Sequence, residues 1–142
     1  MNVQNSNNGQ LKDDQKLFIA NTFVTALKNN DWDSMHALFL PEAIWTLPGV
    51  SLLSGLASGV EAIVERAENL KKFGVNFDLK YILIGLNGFT LSLHNTAKRG
   101  DLVLDEQVAI VFEVINEKIA SMATYLSDVP GINRFFISGI IK

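Results

Sequence analysis

Residues 89–115 read FTLSLHNTAKRGDLVLDEQVAIVFEVI, and this stretch decides the fold. Polar and apolar residues alternate on both sides of Arg99-Gly100-Asp101, which is the pattern of two half-buried strands joined by a tight turn. One strand is expected from about Phe89 to Lys98, and its return from about Leu102 to Ile115. Working outward, Asn87-Gly88 is a short hairpin signal. Before it, Phe77, Leu79, Tyr81 and Leu83 alternate with Asp78 and Lys80, which predicts another strand. After it, Asn116-Glu117 makes a tight turn into a last strand from Lys118 to about Ser127. The C-terminal half is thus an antiparallel meander of four strands.

The N-terminal half has a helical period instead. Asp13 or Asp14 caps a first helix, on which Leu17, Ala20, Val24 and Leu27 recur at helical spacing with Phe23 beside them. Asn29-Asn30 ends it. Asp31 caps a short second helix carrying Trp32, Met35, Leu38 and Phe39 inward, and Pro41 is expected to stop it. Ala43 to Leu47 reads as a short strand closed by Pro48-Gly49. The apolar segment Val50 to Ala57 reads as a flap over a cavity. Ser58 and Glu61 form a capping box for a third helix, whose buried stripe is Val60, Ile63, Val64, Ala67 and Leu70 and whose end is Gly74.

Composition bounds the function. The 142 residues fit one domain: a polar, flexible N-terminal arm over 1–12 and a domain over 13–142. Hydrophobic residues are 48% and charged residues 19%, a globular balance, and the net charge is −3. No basic cluster exceeds the pairs Lys71-Lys72 and Lys98-Arg99, so nucleic acid is not an expected partner. Cysteine is absent, which removes disulfides, thiol nucleophiles and thiolate metal sites. His36 and His94 stand in no metal-ligand spacing, so no metal and no cofactor are expected. The arm has neither a basic start nor an apolar core, and no apolar run spans a bilayer. The expected location is therefore the cytoplasm, with no membrane partner.

Three segments in this order carry a family likeness: Pro41-Glu42-Ala43-Ile44-Trp45, then Ser58-Gly59-Val60-Glu61-Ala62-Ile63, then Val111-Phe112-Glu113-Val114 through Lys118-Ile119 to Tyr125-Leu126-Ser127-Asp128. With Asn30-Asp31 after helix one, they resemble the nuclear transport factor 2-like superfamily and its SnoaL-like, ketosteroid isomerase-related branch, over roughly residues 14 to 137. The resemblance implies an α+β, cystatin-like fold. A cone-shaped, curved antiparallel sheet and three N-terminal helices would enclose a pocket, and a homodimer would form through the outer face of the sheet. Apolar residues on both faces of the strand after Gly100 (Val103, Ala109 and Val111 against Val108, Ile110 and Phe112) also ask for a second cover. On that outer face Tyr125 reads as an interface residue. His36 reads as surface or interface.

The ketosteroid isomerase positions fall here on Phe23, Leu47 and Ile110. All three are apolar, so that mechanism is excluded, and the Asp-Arg-Asp set of limonene epoxide hydrolase-like relatives is not found either. The alignment makes Thr90, Ser92, His94 and Thr96 the pocket face of their strand. A turn symmetric about Gly100 would set His94 opposite Glu106, a pair able to act as general acid and base. Two other readings stand beside it: a solvated cross-strand pair, or a one-residue slip that exchanges Glu106 for Asp105. The expected pocket walls are Phe23, Trp45, Leu47, Leu56, Val108, Ile110 and Leu126, with Thr90 and Ser92 as polar contacts. Trp45 reads as a stacking surface or as core. The apolar tail (Ile132, Phe135, Phe136, Ile137, Ile140, Ile141) caps the pocket or crosses to a partner. The expected function is that of a pocket protein for a small apolar or amphipathic molecule. Such a protein would be a cofactor-independent lyase, isomerase, cyclase or dehydratase using His94 and Glu106, or a non-catalytic dimeric binding module.

Overall fold

The computed structural model describes residues 11–138. Most of the N-terminal arm, and Ile140 and Ile141 of the tail, lie outside these residues. Helix α1 (Asp13–Lys28) carries Asp13 and Asp14 in its first turn, where they favour the positive end of the helix dipole, and Lys12 is its N-cap. Its buried side holds Ile19, Ala20, Phe23, Val24, Ala26 and Leu27. Leu17, expected inward, is 41% exposed: the stripe runs through Lys16 and Ile19 instead. The Lys16 ammonium is buried and donates to the carbonyls of Gly85 (2.8 Å) and Leu86 (2.9 Å), tying the helix to a sheet turn.

Asn30 takes φ 55°, and Asp31 then caps helix α2 (Trp32–His36) through the amide and hydroxyl of Ser34. Pro41 does not stop this helix. The chain enters strand β1 (Phe39–Leu47) two residues earlier, and Pro41 lies where pairing with the last strand shifts between Phe39 and Ile44. A residue without an N–H is tolerated at such a break in the ladder. The expected flap is likewise part strand: after a turn at Ser51–Ser54, β2 (Gly55–Ser58) pairs antiparallel with β1. Because Ser58 pairs with Ile44, it is not a helix cap. Gly59, at φ 94°, is the N-cap of α3 (Val60–Lys72) without a side-chain hydrogen bond.

Strands β3 (Asn76–Ile84), β4 (Gly88–Arg99), β5 (Leu102–Ile115) and β6 (Lys118–Leu126) form the meander. The described strands make one sheet in the order β2-β1-β6-β5-β4-β3. It is mixed rather than antiparallel throughout, since β1 runs parallel to β6. A register shift between Leu79 and Tyr81 turns Ile82 inward and leaves Tyr81 and Leu83 outside, opposite to strict alternation. A fourth helix, α4 (Val129–Phe135), is capped by Asp128 and buries Ile132 and Phe135 against the sheet's inner side, with Phe136 buried just beyond it. Phe136 meets Phe73 of the α3 end edge-on, with ring centroids 5.0 Å apart. The described tail therefore covers its own core. No described helix is long and apolar enough to cross a membrane.

Candidate functional site

The β4–β5 turn sets the site. Gly100 adopts φ 62° and only Gly100 and Asp101 lie between Arg99 and Leu102, which are partners. This two-residue hairpin pairs His94 with Gln107 and Asn95 with Glu106, one position away from a turn centred on Gly100. On β5, Leu104, Glu106, Val108, Ile110 and Phe112 are buried as a set, and their partners on β4 are the odd-numbered residues. His94 therefore faces outward. Its Nε2 lies 2.6 Å from Asp105 Oδ1, and His94 and Glu106 form no dyad. Thr90 and Ser92 share that outer face, so neither lines the cavity. The sequence itself held this signal: Phe89, Leu91 and Leu93 form the apolar side of β4, and the polar side belongs to water.

A cavity of ≈ 40 Å³ lies between the inner face of the sheet, α1, α3 and α4. Phe23, Trp45, Leu47, Val108, Ile110 and Leu126 line it, where the sequence placed them. Leu56 does not: it partners Thr46 on the outer face of β2 and is 62% exposed. Ile132 and Phe136 close the cavity from the α4 side.

Trp45 is held on three sides. Its indole N–H donates to Thr124 Oγ1 at 2.7 Å, deep in the wall. The Arg66 guanidinium lies over its ring, 5.1 Å from the centroid, and donates to the carbonyls of Trp45 (2.9 Å) and Gly55 (3.0 Å). Burial pulls Arg66 below its ordinary pKa, and it is held by these carbonyls rather than by a carboxylate.

Two polar side chains on the wall are not so satisfied. Glu106 is 1% exposed; its Oε1 accepts from the Asp128 amide at 3.0 Å, while Oε2 has no partner among the described residues. Its cross-strand neighbour Asn95 also lines the cavity, with a buried and unpartnered Oδ1. Burial pushes the Glu106 carboxyl above its ordinary pKa. The Asp128 amide opposes this, the Asp128 carboxylate adds to it, Ser127 opposes, and Asp105 adds a further push. Asn95, Asp128 and Gly131 were not among the expected site residues. Asp128 was legible as a cap ahead of Pro130-Gly131; Asn95 became visible only with the register. Among the described residues no group of three or more His, Asp or Glu could hold a metal ion.

No protein-family model matches this sequence, and no curated protein matches it. Solved structures do. Bal32a, from a soil-derived mobile gene cassette, is 26% identical with a TM-score of 0.81, over 87% of this chain and 98% of that one. A nuclear transport factor 2-like protein from Burkholderia xenovorans LB400 is 17% identical with a TM-score of 0.74, over 88% and 98%. A candidate polyketide cyclase from Sinorhizobium meliloti is 18% identical with a TM-score of 0.63, over 75% and 93%. The architecture is the nuclear transport factor 2-like, or cystatin-like, fold.

Proposed function

We propose that this nuclear transport factor 2-like chain takes a small, mostly apolar molecule into its cone and moves a proton on it. The reaction class is a cofactor-independent isomerase, cyclase or lyase, and Glu106 is the group that carries the proton. The observation behind this reading is a buried carboxyl on a mostly apolar wall, with one oxygen anchored by the Asp128 amide and the other unpartnered. Burial favours the protonated form of this carboxyl, and once protonated it can donate from Oε2. Proton donation to one atom of the ligand leaves a carboxylate, which the Asp128 N–H stabilises. That carboxylate then removes a proton from a neighbouring atom, so the ligand is rearranged and Glu106 restored. The polyketide cyclase candidate of the same fold is compatible with such chemistry.

The test is isotope exchange. Small cyclic ketones and enones, with and without a hydroxyl group, incubated in D2O with the protein should gain deuterium at carbon, at least one of them faster than with Glu106→Gln by about a hundredfold or more. Equal rates would remove proton transfer and leave the second reading, a non-catalytic binding module. That reading is favoured by one fact: Glu106 is the one ionisable side chain among the described residues lining the cavity.

We also infer that two copies pair through the outer face of the sheet. Tyr81, Leu83, Val103, Val111 and Tyr125 are all exposed there, a surface that favours a cover. Light scattering at micromolar concentration should give the mass of a dimer, and Val111→Lys with Tyr125→Glu should give that of a monomer. A monomeric wild-type chain removes the inference.

A further inference from the structure

We propose that the ligand carries a hydroxyl group (alcohol, phenol or enol), held between the Glu106 carboxyl and the Asn95 side-chain carbonyl. This rests on the pocket reading above and narrows it to a ligand class. The two side chains stand on partnered residues of adjacent strands and both line the cavity. Each brings one buried oxygen that no described residue satisfies, Glu106 Oε2 and Asn95 Oδ1. Buried polar atoms are almost always paired, so two orphans side by side on one wall mark the place where a ligand's polar group belongs.

Their chemistry says which group. Asn95 Oδ1 can only accept. Glu106 Oε1 already accepts from the Asp128 amide, so a proton taken up by this carboxyl, which burial favours, belongs on Oε2. The wall therefore presents one acceptor and one donor. A hydroxyl matches both at once, donating to Asn95 and accepting from Glu106. An ether or ketone supplies no donor and leaves Asn95 unpaired, and a hydrocarbon leaves both. A carboxylate would bring its charge against a wall with no positive side chain among the described lining residues, and the Arg66 guanidinium is engaged by the Trp45 and Gly55 carbonyls. An ammonium would need an ionised Glu106, which burial opposes. Thr124, whose oxygen accepts from the Trp45 indole, is not among the unpartnered polar atoms of the wall.

The test is calorimetric or NMR titration of the full chain with phenol, anisole, toluene and benzylamine. The space of ≈ 40 Å³ is tight for a ring, so the series is repeated on Phe136→Ala, which removes one closing side chain. Phenol should bind more tightly than anisole or toluene by about tenfold or more. Glu106→Gln should keep that preference: the amide oxygen must still accept from the Asp128 N–H, which puts the amide N–H2 where Oε2 stood. Glu106→Leu and Asn95→Leu should lose it. Equal affinity for phenol, anisole and toluene overturns the hydroxyl inference and leaves the pocket reading standing. Tightest binding of benzylamine overturns it in favour of a cationic ligand. Failure of all four compounds on both proteins overturns the pocket reading itself.

Discussion

Asn95 and Glu106 face each other across the β4–β5 ladder, while His94, one residue back, turns to the opposite side and bonds Asp105. Side chains on a strand alternate, so a shift of one position exchanges the whole inner set of β4 for its outer set. His94 is thereby removed from any chemistry in the cavity. His94→Ala should leave ligand binding and deuterium exchange at wild-type levels. It should cost at most about 1 kcal/mol in a urea melt, the range of partly exposed ion pairs. A loss of exchange comparable to that of Glu106→Gln would show that His94 reaches the ligand after all.

The same register explains what was legible in the sequence. The extents of α1, α3 and the meander follow from periodicity, and the apolar walls Phe23, Trp45, Leu47, Val108, Ile110 and Leu126 follow with them. Periodicity says which residues share a face but not which residue on the next strand opposes them. That depends on whether two or three residues make the turn. The bulge after Leu79 and the parallel pairing of β1 with β6 are tertiary choices of the same kind. Strand β2 was hidden because its four residues, GLAS, have too short a pattern to betray a period. Leu56 was misplaced with it.

Gly131 lies against the carboxyl groups of both Asp128 and Glu106. A Cβ built there would stand 2.5 Å from Asp128 Oδ2 and 3.0 Å from Glu106 Oε2. In an open helix, glycine to alanine stabilises by about 1 kcal/mol. Here the sign should reverse, because the methyl group crowds the cap of α4 and the buried carboxyl together. Gly131→Ala should lose about 1–3 kcal/mol and weaken ligand binding. A gain in melting temperature would mean that α4 moves away from Glu106 at little cost.

The indole of Trp45 depends on Thr124 for its one hydrogen bond. Thr124→Val keeps the shape but strands a buried N–H, a loss of about 1–3 kcal/mol. Trp45→Phe removes the donor, and Thr124→Val in that background should then cost markedly less. The difference, read from chemical melts of the four proteins, is the coupling between the two side chains. Additive losses would show that the 2.7 Å contact contributes nothing of its own.

Glu106 should also set how stability varies with pH. Its carboxyl titrates above 4.5 in the folded chain, because burial and the nearby Asp128 and Asp105 carboxylates outweigh the Asp128 amide and Ser127. The folded chain therefore holds this proton more tightly than the unfolded one. Where the two differ, the native state binds more protons, so stability falls as pH rises. The contribution of the neutral carboxyl is whole below about 4.5 and is lost as pH climbs through the raised folded value. Glu106→Gln has no such loss. Its stability relative to wild type should rise with pH across that window. Asp31, Glu61 and Asp78, whose pKa values are lowered, act in the opposite direction but equally in both proteins, and cancel in the difference. Paired urea melts from acid to neutral pH measure it directly. A difference that stayed flat would mean the carboxyl is solvated in the folded chain, and with that the neutral donor required at Oε2 would be gone.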